Sequence, residues 1–222
     1  VISFLLHFGF SRSIQKISLK FDFDYWKIVV SKSWPLALTI TLNLIYLKTD
    51  TLILSVLKPV GDVGIYGAAY KVIDVLITIP FMFAGIILPI LTKKWAEKNT
   101  ADFKNILQRS FDLMVIFAIP LAFGTQLIAK DVMVLVAGQE FAEAGPVLQI
   151  LILAATLIFL GNMFSHAIIA IDKVKKLFLA YLFTAITSVI GYLIFIPKFS
   201  YLGAAWMTIY SETAITLAFV FL

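Results

Sequence analysis

The sequence predicts an all-α protein, a polytopic transmembrane bundle of six helices. Three observations lead there. Of 222 residues, 61% are hydrophobic and 14% charged, against roughly 45–50% and about 25% in a soluble domain. Apolar runs recur six times along the chain, each long enough to cross a hydrocarbon layer of ~30 Å, which takes ~20 helical residues. The basic residues crowd into alternate connections between those runs. This composition excludes disorder, collagen and coiled coil, and argues against a water-soluble enzyme. With no cysteine, there is neither a disulfide framework nor a thiol-based metal or redox centre.

The spans follow from apolar runs and their breakers. The first is about Trp34–Leu57, opened by Pro35, and the second about Gly64–Leu91. The third is about Ser110–Ala129. The fourth, about Pro146–Ile171, begins at a proline whose missing N–H costs little at a helix start. The fifth is about Leu177–Ile196 and the sixth about Tyr201–Leu222. Pro80, Pro89 and Pro120 fall inside runs, where neighbouring helices can satisfy the freed carbonyls. Gly61, Gly64 and Gly67 suggest a tight turn and close helix packing. Between the second and third spans, Thr100 is placed to cap a basic interfacial helix with Phe103, Leu107 and Phe111 on one face. Asp131–Gly145 reads as a short surface helix ending near Gly138, followed by a turn.

Charge placement tests these spans independently of hydropathy. Arg12, Lys16, Lys20, Lys27 and Lys32 precede the first span, and only Lys58 follows it. Lys93, Lys94, Lys98, Lys104 and Arg109 lie between the second and third, and Lys130 after the third. Lys173, Lys175 and Lys176 follow the fourth, and Lys198 the fifth. The positive-inside rule places the crowded connections of this integral membrane protein in the cytoplasm. Topology thus accounts for the basic loops without nucleic acid. Residues 1–33 read as the tail of a preceding transmembrane helix and a basic cytoplasmic linker, and residues 34–222 as the six-helix lobe. The short apolar start at Val1–Phe10 and the apolar end at Leu222 suggest part of a longer protein.

Charges inside the spans carry the functional information, because each must face water or protein and find a partner. They are Lys48 and Asp50 in the first span, Lys71 and Asp74 in the second, and Glu212 in the sixth; Asn162 and His166 lie in the fourth. Counting from the turn between the first two spans, Asp50 and Lys71 both sit ~10 Å in, and Lys48 and Asp74 deeper. Opposite charges therefore match in depth twice, as Asp50 with Lys71 and Lys48 with Asp74. Lys48 and Asp50 point ~200° apart, so both pairs cannot be ideal at once. Thr39, Asn43, Tyr46 and Asp50 form one polar stripe, and Gly67, Lys71, Asp74 and Thr78 another. Such stripes form a buried ion-pair network, line a hydrophilic cavity, or do both. Glu212 leaves the acids one in excess, which suits ion coupling or a neutral hydrogen-bonded carboxyl. His166 reads as an interhelical hydrogen bonder. Phosphate loops, dinucleotide fingerprints, HExxH and GxSxG are absent. No catalytic residue, metal or cofactor is expected.

Several stretches carry a family likeness. Trp34-Pro35 through Asp50, Val63-Gly64-Ile65-Tyr66-Gly67-Ala68-Ala69-Tyr70-Lys71, Pro80 and Pro89 come first. Leu135-Val136-Ala137-Gly138-Gln139-Glu140-Phe141, Ala170-Ile171-Asp172-Lys173, and Pro197 with Gly203-Ala204-Ala205-Trp206 and Glu212 follow. In that order they resemble Wzx-type polysaccharide-biosynthesis flippases of the multidrug/oligosaccharidyl-lipid/polysaccharide (MOP) exporter superfamily, over nearly all of residues 34–222. The resemblance implies two six-helix lobes around a central cavity, this chain being the second and partnered by the first lobe of the same protein. It implies flipping of undecaprenyl-diphosphate-linked oligosaccharides by alternating access, for a cell-surface polysaccharide such as lipopolysaccharide O-antigen. Lys48 and Lys71, with Asn43 and Tyr46, become the substrate-binding candidates. Asp50, Asp74 and Glu212 become the ion-pair or ion-coupling candidates. A lipid II flippase, a drug/cation antiporter and a membrane-embedded glycan-assembly enzyme are the competing readings.

Overall fold

The computed structural model describes residues 21–222, and the tail of a preceding helix expected at Val1–Phe10 lies outside them. The chain divides into two compact units, Val1–Trp34 and Pro35–Leu222. Every described segment of appreciable length is helical, and no strand occurs among the described residues.

Helix α1 runs Phe23–Leu57, beginning well before the expected start at Trp34. Asp22 explains the early start: its Oδ1 accepts from Tyr25 N at 3.0 Å, an N-cap that satisfies one of the helix's orphan donors. In the first unit, Phe21 and Phe23 rest on the Trp26 ring. Lys58 and Pro59 make the turn into α2, Val60–Ala96, which carries Pro80 and Pro89 without breaking. Its end is a left-handed Lys98 (φ 57°), with Asn99 N bonding Lys94 O and Lys98 N bonding Trp95 O.

Helix α3, Thr100–Ala137, is one continuous helix. The interfacial helix, the third span and the short surface helix expected around them are thus a single element. Its N-cap is Asn99, not Thr100: Asn99 Oδ1 accepts from Asp102 N at 3.0 Å while its amide donates to the Asp102 carboxylate at 2.9 Å. Gly138 (φ 101°) stops the helix in a conformation that L side chains avoid, and a 3₁₀ helix, Gln139–Ala144, follows. Helix α4, Gly145–Ala170, takes Pro146 in its first turn. It is buried on most sides and packs against α2, α3 and the last helix.

That last helix, α5, spans Val174–Phe221, but its 48 residues would measure ~72 Å if straight. Ser200 (φ 50°, ψ −134°) breaks it into two antiparallel arms. The Tyr192 hydroxyl lies 3.5 Å from Thr208 Oγ1 and the Tyr181 and Phe219 rings are 5.5 Å apart, contacts that only a fold-back permits. The arms supply the fifth and sixth crossings. Their turn is tied to the α1–α2 turn, since Lys58 Nζ donates to Pro197 O at 2.9 Å and Ser200 Oγ to the Asp62 carboxylate.

Close helix contact rests on small residues, as expected where lipid offers no hydrophobic driving force between helices. A Cβ on Gly161 would meet Thr216 Oγ1 at 2.5 Å, and one on Gly203 would meet Phe195 O at 2.5 Å. Gly61 and Gly67 have nothing within 4 Å of that position, which corrects the packing role expected of them. Leu54, Tyr66, Ile73, Leu148, Leu151 and Tyr192 join α1, α2, α4 and α5 in the principal core. Large apolar side chains such as Met82, Phe117, Phe123, Leu127 and Phe183 remain exposed, as a lipid-facing surface requires.

Candidate functional site

The polar side chains of α1 and α2 separate into two systems facing different ways. On the open side, Lys48 Nζ stands 3.2 and 3.3 Å from the two oxygens of Asp74. The ammonium also lies 4.7 Å from the centroid of the Tyr70 ring, a cation–π contact. The pair is half-open, with side-chain exposures of 52% and 45%. Lys71 and Thr78 are exposed along the same helix.

On the inner side, Asp50 is 1% exposed. Tyr66 donates its phenol to Asp50 Oδ2 at 2.5 Å, and Thr51 donates N–H and hydroxyl to Oδ1 at 2.5 and 3.2 Å. Three donors are what a buried carboxylate needs to offset its desolvation. Thr208 Oγ1 lies 3.2 Å from the Tyr66 hydroxyl and donates to Ala204 O at 3.0 Å. With Tyr192, this network joins α1, α2 and both arms of α5.

The depth-matched pair Lys48–Asp74 is therefore formed, while no salt bridge joins Asp50 to Lys71 among the described residues. Lys48 and Asp50 diverge around α1, so Lys48 takes the open face of α2 and Asp50 the inner one. There α2 presents Tyr66, while Tyr70, one turn on with its ring 5.5 Å from that of Tyr66, stands between the two systems and touches the Lys48 ammonium. The two stripes accordingly diverge. Thr39, Asn43 and Asp50 turn inward, while Lys71, Asp74 and Thr78 stay open. The Tyr46 side chain lies outside the described residues.

Glu212, on the second arm of α5, is 2% exposed. It lines a cavity of ≈ 30 Å³ with Asn43, Asn162, Ser165, Tyr181 and Thr216, room for water-sized occupants. The fold thus brings Asn43 to Glu212 rather than to Lys48. His166 bonds within its own helix, with Nδ1 2.9 Å from Asn162 O. This corrects the interhelical role expected of it. Thr208 and Thr216 share the face of Glu212, as the four-residue spacing predicts, but Tyr66 and Tyr192 are not among the expected site residues. For Tyr192 a signal exists in the four-residue spacing of Thr184, Ser188 and Tyr192, each at most 1% exposed.

The profile of a family described as "polysaccharide biosynthesis protein" matches residues 2–146. The chain belongs to that family. The chain is also similar to a probable flippase, AglR, of Haloferax volcanii, at 23% identity over 171 residues. The match covers 76% of this chain and 36% of that relative. Among solved structures, it superposes on the lipid II flippase MurJ in an inward closed conformation with TM-score 0.74 at 17% identity. That match covers 98% of this chain and 47% of MurJ. A MOP superfamily transporter from Pyrococcus furiosus gives TM-score 0.72 at 18% identity, over 87% of this chain and 43% of the transporter. The shared feature is the fold, and the family member described here spans less than half the length of each of these proteins.

Proposed function

We propose that this chain is one six-helix lobe, the second, of a flippase that moves lipid-linked oligosaccharides across the inner membrane. The carrying observation is the half-open Lys48–Asp74 pair with Lys71 on one exposed face of α1 and α2. Residue 74 is fourteen residues, ~21 Å, from the start of α2. Charges at that depth cannot face lipid tails, so this face meets water or another part of the protein. Facing a partner lobe, it forms one wall of a hydrated, cationic passage suited to a phosphate-bearing sugar headgroup, while the lipid tail stays in the bilayer.

Membership of the polysaccharide biosynthesis family and the likeness to a probable flippase support a saccharide cargo over a drug. The substrate we propose is an undecaprenyl-diphosphate-linked oligosaccharide, carried by alternating access. Lys48 and Lys71 meet the diphosphate, while Asp50 and Glu212 pair or couple to an ion gradient. Glycan-bond chemistry is not assigned to it. The basic connections are cytoplasmic.

The test is flipping of a fluorescent lipid-linked oligosaccharide in vesicles by the full-length protein. Wild type moves the label to the opposite leaflet, and Lys71→Ala, which inserts normally, loses at least about tenfold in rate, the order expected when a charge-assisted phosphate contact is removed. Wild-type rates equal to those of empty vesicles would reject the reading.

A further inference from the structure

The charged systems differ in a way that bears on an anionic substrate. Asp50 is enclosed by Tyr66, Thr51 and the Thr208 network. Lys48 is not enclosed. Its ammonium faces both oxygens of Asp74 almost symmetrically, at 3.2 and 3.3 Å, with half of each side chain open. A phosphate would offer the ammonium the same arrangement of two anionic oxygens. A lysine at this depth cannot rest without a counter-charge, yet a half-open pair is weakly held. Asp74 also has a second cation within reach, because Lys71 precedes it by three residues on the same helix face.

We infer that Asp74 is an internal stand-in for the substrate's phosphate. It neutralises Lys48 while the passage is empty and yields Lys48 to an incoming phosphate-bearing headgroup, with Lys71 close enough on the same helix for Asp74 to share it with the diphosphate. Lys48 keeps an anionic partner in both states, so loading and release each exchange one anion for another at its ammonium. Asp74 thereby sets how tightly the headgroup is held. The idea rests on the flippase reading for the existence of that substrate.

The experiment measures binding of farnesyl diphosphate, with farnesol as the uncharged control, to the full-length protein in lipid nanodiscs. Asp74→Asn is expected to bind farnesyl diphosphate about fivefold tighter than wild type, the scale of one half-exposed ion pair, with farnesol binding unchanged. Lys48→Ala should bind it more weakly, and the double variant no better than Lys48→Ala. Asp74→Ser replaces Asp74→Asn if the latter is not monodisperse. Equal or weaker binding by the Asp74 variant, or a gain that survives in the double variant, overturns the inference. If wild type flips the lipid-linked oligosaccharide and the Asp74 variant shows no gain, the stand-in role falls alone. If wild type neither flips nor binds the diphosphate, the flippase reading falls and takes this inference with it.

Discussion

Tyr66 is where three helices converge, since its phenol serves Asp50 on α1 and meets Thr208 on α5. Removing that oxygen leaves a fully buried carboxylate with only the Thr51 donors. Tyr66→Phe should therefore lower stability by about 1–3 kcal/mol. Thermal unfolding of the full-length protein in detergent reads the change. Tyr210→Phe, on a residue 42% exposed, should barely move the transition. Equal shifts in the two variants would show that the Tyr66 hydroxyl has no special part in holding the helices. The same residue shows what a sequence can yield at this scale. Residue spacing fixes depth along a helix, which was enough to match Lys48 with Asp74. Direction around the helix depends on how two helices cross, which spacing does not encode. Depth alone accordingly matches Asp50 with Lys71 as well, a pairing that cannot be ideal beside Lys48–Asp74, and the partner Asp50 takes is a tyrosine counted among the apolar residues.

At the scale of elements, hydropathy located the crossings but not the ends of the helices. It measures transfer into lipid, and α1 and α3 continue past the apolar runs because Asp22 and Asn99 cap them in polar surroundings. The break in α5 was legible because Pro197 and Lys198 interrupt the apolar run, though the residue that turns the chain is Ser200. Glycines were harder to read, since a small residue on a helix marks a close contact only if something stands opposite. Gly203→Ala would drive a methyl group into the Phe195 carbonyl, which is backbone and cannot move aside. It should destabilise the α5 turn by at least about 1–3 kcal/mol. Gly85→Ala meets nothing within 4 Å and gains helix propensity of up to about 1 kcal/mol, so its unfolding temperature should hold or rise. Equal losses in both would mean that the tight fold-back at Gly203 is not what these substitutions sense.

At the scale of the molecule, the decisive feature is that α5 counts as two crossings. The turns then fall into two sets. Lys58 bonds the Pro197 carbonyl, and Phe141 lies 4.0 Å from a Cβ on Gly64, so the turns at 58, 141 and 197 share one end. The turns at Lys98 and Asp172 close the helices at the other. The chain has no cysteine, so single cysteines can report each turn in a full-length protein whose cysteines elsewhere, if any, are replaced by serine. Glu140→Cys and Lys198→Cys should react with a membrane-impermeant maleimide in intact cells, and Lys98→Cys and Asp172→Cys only after permeabilisation. Lys198 decides between architectures. A straight α5 would carry residue 198 near the middle of a single crossing, where an aqueous reagent cannot reach it, whereas the broken helix presents it at the surface beside Lys58. Labelling of Glu140→Cys without Lys198→Cys would therefore reject the hairpin. Labelling of Lys98→Cys in intact cells would reverse the orientation and place the basic connections outside, against the charge rule that assigns them to the cytoplasm.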